Sequence, residues 1–140
     1  MPNPVIETID LNGAQGKAAG YIAATTNAGF TQQAVVTVTD SKGNTVASGT
    51  FQGNGENNTP MPLTSGGHLL QFSGATIPLT LNIQCSYDPN GTFQPNAPNK
   101  VVVNQLVDNP MVETYQVTAE DYVDNDFNDT ILTATFIAHA

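Results

Sequence analysis

Residues 120–129 read Glu-Asp-Tyr-Val-Asp-Asn-Asp-Phe-Asn-Asp, which packs five of the chain's 12 acidic residues into ten positions. Carboxylates this dense oppose folding unless something neutralises them. The chain has three basic side chains in all, Lys17, Lys42 and Lys100, so local ion pairs cannot do it. A bound cation can. Hard carboxylate and amide oxygens suit calcium, which accepts six to eight ligands in irregular geometry, better than magnesium, which demands a near-ideal octahedron and keeps its waters. The segment contains no His or Cys, the usual zinc ligands. Nor does it follow the EF-hand spacing, with its central glycine and bidentate glutamate at the twelfth position. It reads as a metal loop between strands, against two plainer alternatives: a solvated acidic turn, or a cation that only pins the loop.

The elements that must hold this loop are strands. Apolar alternation with β-branched enrichment recurs at Val5–Leu11, Tyr21–Thr26, Ala34–Thr39, Thr45–Phe51, His68–Phe72, Leu79–Tyr87, Val101–Val107, Tyr115–Thr118 and Thr130–Ala138. Turn formers separate them, among them Asp40-Ser41-Lys42-Gly43-Asn44, Ser65-Gly66-Gly67 and Asp88-Pro89-Asn90-Gly91. No stretch keeps a 3.6-residue apolar period for three turns. The expectation is an all-β fold, an antiparallel β-sandwich of about nine short strands, with residues 1–140 as a single domain and Asn90 to Lys100 as a long loop or extended edge. Cys85 stands alone in an apolar strand and reads as a buried thiol.

Around the acidic loop the residues carry a family resemblance. Glu120-Asp121-x-x-Asp124-Asn125-Asp126-Phe127-Asn128-Asp129, followed by an apolar terminal strand, resembles the metal loop of the bacterial fucose- and mannose-binding calcium lectins. Asn27 with Ala28-Gly29-Phe30-Thr31-Gln32 is similar to that family's N-terminal Asn ligand and specificity loop. Phe51-x-Gly53-x-x-x-Asn57-Asn58 resembles a further stretch. The resemblance implies two adjacent calcium ions that together coordinate the hydroxyls of one monosaccharide. Position by position, it implies metal ligands at Asn27, Glu120, Asp124, Asp126, Asn128 and Asp129. The family's terminal carboxylate reaches a neighbouring subunit's calcium, and Ala140 stands in that place here, after His139. Sugar contacts are implied at Asn27, Ala28, Gly29, Asp121, Asp124, Asp126 and Asp129, with Asp121 accepting a hydrogen bond from a sugar hydroxyl. Ala28 and Gly29 offer no hydroxyl of their own, which favours mannose over fucose. Phe30 either stacks on the sugar or obstructs it.

Charge narrows the alternatives. A formal net charge of −9 with no arginine argues against nucleic acid, whose phosphates are met by Lys and Arg, and against docking on anionic lipid. His68 and His139 sit beside no nucleophile motif, and crowded metal ligands make a poor glycosidase pair, so enzymatic activity is not expected. The expected partners are mannose- or fucose-bearing glycans, bound by a homodimer or higher homo-oligomer that gains avidity. The rival reading is a structural or adhesive β-sandwich with a loop-stabilising calcium and a protein partner. Neither an export signal nor a membrane span is read in the sequence, so the expectation is a soluble protein made in the cytoplasm, with any extracellular role needing another route of release.

Overall fold

The computed structural model describes residues 4–11, 16–97, 100–121 and 128–139. Nine strands appear among them: β1 (Val5–Ile9), β2 (Lys17–Thr39), β3 (Thr45–Pro60), β4 (Leu70–Thr76), β5 (Leu79–Asp88), β6 (Gln94–Pro95), β7 (Val101–Asn109), β8 (Val112–Ala119) and β9 (Thr130–His139). Every pairing between them is antiparallel. Among the described residues no helix is long and apolar enough to cross a membrane.

The organising element is β2. Its first half pairs with β9 on one side, Thr26 opposite Thr130 through Lys17 opposite His139, and with β4 on the other. Its second half pairs with β5 and with β3. One strand thus runs through both faces of a nearly closed, barrel-like sandwich, with the order β1-β5-β2-β9-β8-β7 along the main path.

Two strands are much longer than the sequence reading expects. Tyr21–Thr26 and Ala34–Thr39 are parts of one 23-residue strand, and β3 continues from Phe51 to Pro60. The reason lies in residues 27–33, where pairing on both sides, Thr26 with Thr130 and Thr59 and Gln32 with Tyr87 and Gly53, keeps the chain from reversing. It continues instead through register shifts at Thr26/Ala28 and Ala28/Gln32, which bend the strand from one face to the other. The expected loop of residues 90–100 includes a short edge, β6, paired with Ser86 and Tyr87 of β5.

Period-2 alternation puts the core between the faces. In β9, Leu132, Ala134 and Phe136 are fully buried while Thr133 and Ile137 are exposed. They pack in one cluster with Ile22, Val36, Val38, Phe51, Leu81 and Ile83. Cys85 belongs to it, as expected, and burial pushes its thiol up to about 12.

Candidate metal and ligand site

Three segments meet at one end of the sandwich: the β8–β9 connection, the bent middle of β2, and the distal, bulged part of β3. Hydrogen bonds between them explain the closeness. Asp129 presents its backbone carbonyl to β2, accepting from the Asn27 N–H at 3.2 Å and from the Thr26 hydroxyl at 2.6 Å. The other end of the connection is anchored where the Glu120 N–H donates to the Lys100 carbonyl at 2.8 Å and the Glu120 carbonyl accepts from Asn96 Nδ2 at 2.8 Å. The Asp121 N–H then closes the loop's base by donating to Asp129 Oδ2 at 2.8 Å.

This folding brings carboxylate oxygens of Glu120, Asp121 and Asp129 within 4.8 Å of one another. Glu120 and Asp129 are buried. Burial first, then the adjoining Asp121 and Glu120 carboxyls, push Asp129 up to about 8, against the opposing pull of the Asp121 backbone N–H. Like charges held this close in a poorly hydrated place must take up a proton or a cation. Next to them Asn128 Oδ1 is buried and accepts no hydrogen bond from the described residues. A buried carbonyl oxygen without a donor is costly, and a hard cation satisfies it as well as a donor would. The donor set is all oxygen, as calcium requires.

The cluster forms one wall of an open cavity of about 530 Å³. Asn27, Ala28, Gly29 and Phe30 line it from β2, and Glu56 and Asn57 from β3, facing Asp121, Asn128 and Asp129. Of the residues implicated from sequence, Asn27, Ala28, Gly29, Asp121, Asn128 and Asp129 therefore share one cavity, and Glu120 lies directly behind it in the carboxylate cluster. Asp124, Asp126 and Ala140 lie outside the described residues. The Phe30 ring leans on Tyr87, centroids 6.4 Å apart, so this aromatic forms a side wall and is held there.

Gln32 and Asn58, to which no individual role is expected from the sequence, are both tied into the site. Gln32 is fully buried; its Nε2 donates to Asp121 Oδ2 at 2.7 Å and to the Phe30 carbonyl at 3.2 Å, while its Oε1 accepts from the Thr130 hydroxyl at 3.3 Å. One Asp121 oxygen is therefore already engaged. Gln32 falls in a stretch that carries the family resemblance, but its own role had no local signal, because Asp121 and Thr130 lie 89 and 98 residues away.

A sandwich with an oxygen-lined, cation-suited cavity at the end of its strands defines a class of β-sheet ligand-binding domains. Residues 13–137 match the model of the fucose-binding lectin II (PA-IIL) family, and the chain belongs to that family of carbohydrate-binding proteins. Among solved structures it is similar to the high-affinity mannose-binding lectin of Ralstonia solanacearum, with 25% identity, TM-score 0.58 and 93% of each chain covered. It shares its fold with the Chromobacterium violaceum lectin CV2L, solved with α-methyl-fucoside, at 18% identity, TM-score 0.60 and 93% of each chain. The C-terminal domain of the Burkholderia cenocepacia lectin BC2L-C matches at 17% identity and TM-score 0.60, over 96% of this chain and 97% of that one. No curated protein matches the sequence.

Proposed function

We propose that this chain is a calcium-dependent lectin domain that binds mannose- or fucose-type monosaccharides in the cavity between Phe30 and Asp121. The observation that carries the reading is the carboxylate cluster of Glu120, Asp121 and Asp129 beside Asn128 Oδ1, which has no donor among the described residues, opening onto the cavity in a chain of this lectin family. Glu120, Asn128, Asp129 and Asn27 would hold the metal, joined by Asp124 and Asp126 from the same loop. Two calcium ions at this place would supply what neutral hydroxyls lack: strong, geometrically selective ligation that competes with water.

The protein's own share is orientation and selection. Asp121, fixed through one oxygen by Gln32, offers the other to a sugar hydroxyl. Ala28 and Gly29 leave the β2 wall without a hydroxyl donor, which favours mannose, and the mannose-binding Ralstonia lectin is the solved relative at 25% identity. Assembly into a homodimer is supported by the outer face around β9, where Tyr21, Met111 and Ile137 are exposed apolar side chains.

Titrating methyl α-mannoside and methyl α-fucoside calorimetrically in excess calcium, then after EDTA, tests the reading. Binding that vanishes with calcium supports it and ranks the two sugars. Calcium binding with no heat from either sugar would replace it with the adhesive domain stabilised by metal.

A further inference from the structure

The Asn27 amide is held on both sides by one residue of β3. Asn27 Nδ2 donates to Asn58 Oδ1 at 2.8 Å, and Asn27 Oδ1 accepts from the Asn58 N–H at 2.7 Å. The second Nδ2 proton goes to the Asn128 carbonyl at 3.1 Å. These three bonds decide the amide's orientation, since a flipped amide would set its oxygen against two acceptors and its NH₂ against a donor. Oδ1 accepts that one hydrogen bond among the described residues and so has a second lone pair to offer, and Asn27 lines the cavity.

Asn58 sits in a bulged turn within β3, between the pairs Ala28 opposite Gly55 and Thr26 opposite Thr59, where Asn57 and Asn58 both have left-handed φ, 64° and 56°, after Gly55 at 133°. Thr59 braces the turn by donating its hydroxyl to the Glu56 carbonyl at 2.7 Å. Glycine is the residue such a position favours on backbone grounds, and an asparagine there is the dearer choice. The Asn58 side chain has a use that glycine lacks.

We infer that Asn58 is a positioning residue, whose side chain and backbone N–H together fix the Asn27 amide with its oxygen toward the cation. This inference rests on Asn27 being a metal ligand, as proposed above. The test compares wild type, Asn58→Gly and Asn58→Asp. Glycine keeps the left-handed turn and the backbone N–H but removes the side-chain acceptor; aspartate keeps an acceptor for Nδ2. If Asn58 were only a turn residue, Asn58→Gly would be neutral or stabilising.

The positioning role predicts that Asn58→Gly melts like wild type without calcium yet binds calcium about 10- to 100-fold more weakly, the size of effect typical of residues that orient a metal ligand. Asn58→Asp should restore affinity. In the calcium-free protein, the Asn27 side-chain NH₂ resonances should show slow exchange that Asn58→Gly abolishes. Wild-type calcium affinity in Asn58→Gly, or unchanged Asn27 amide exchange, would overturn the inference. If wild type itself binds no calcium, the metal reading falls and takes this role with it, an outcome separable from a clamp that fails in a calcium-binding protein.

Discussion

At the scale of single residues, the proposed site divides labour between groups that would meet the metal and groups that hold those in place. Asp129 is the hinge of both: its carboxylate lies in the buried cluster and its backbone carbonyl ties the loop to β2. Asp129→Asn keeps the size and removes a charge that a divalent ion needs. It should abolish measurable calcium binding while raising the melting temperature of the calcium-free protein, because a buried carboxylate is replaced by a neutral amide; differential scanning fluorimetry with and without calcium reads both effects. Asp121 is different, being only half-buried and already bonded to Gln32 through one oxygen. Asp121→Ala is expected to weaken sugar binding by about tenfold, as for loss of one charge-assisted hydrogen bond of about 1.5 kcal/mol, and to leave most of the calcium affinity in place. Parallel loss of metal and sugar in calorimetry would make Asp121 a ligand instead. The acidic loop was legible in the sequence because its chemistry is local, with five acids and no bases within ten positions. Gln32 and Asn58 were not, because a side-chain amide has meaning only through partners that the fold brings from elsewhere.

At the scale of elements, β2 both builds the core and delivers the site. Alternation made most strands legible, since Ile22, Val36, Leu81, Leu132 and Phe136 fall on the inward phase of their strands and are fully buried. The continuity of β2 was not legible, because Asn27-Ala28-Gly29 reads locally as a turn. What keeps it extended is pairing on both sides, with Thr26 opposite Thr130 and Thr59, and Gln32 opposite Tyr87 and Gly53. The bend is thus a tertiary product, and it places Asn27 and Phe30 at the cavity. Close approach at Gly20 serves the same strand, since a Cβ there would run into the Phe72 ring and crowd Phe136 at 3.1 Å. Gly20→Val should cost about 1–3 kcal/mol through overpacking, seen as a lower urea midpoint at unchanged slope. Because Gly20 lies on the half of β2 paired with β4 and β9, calcium affinity at 15 °C should survive the substitution.

For the whole molecule, stability, charge and ligand are linked through the same carboxylates. The chain carries a net charge of −9, and among its acids Asp129 is raised in the folded protein to about 8 from an ordinary 3.8. The unfolded chain therefore releases this proton first as pH rises. Between about 4 and 8 the folded state binds more protons than the unfolded state, so the stabilisation is complete below pH 3.8 and declines as pH rises toward 8. The calcium-free protein should accordingly melt at progressively lower temperature from pH 5 to pH 8, even in 0.5 M NaCl, because salt screens the exposed acids far better than a buried cluster. Calcium binds the deprotonated form, so saturating calcium should raise the melting temperature most at pH 8 and reverse the slope, with proton release visible as a buffer-dependent heat of binding. A calcium-free melting temperature that rises through this range would mean the cluster is hydrated and ionised without metal. Calcium would then have no buried charge to relieve, and the coupling between metal uptake and fold stability would have to come from the exposed acids alone.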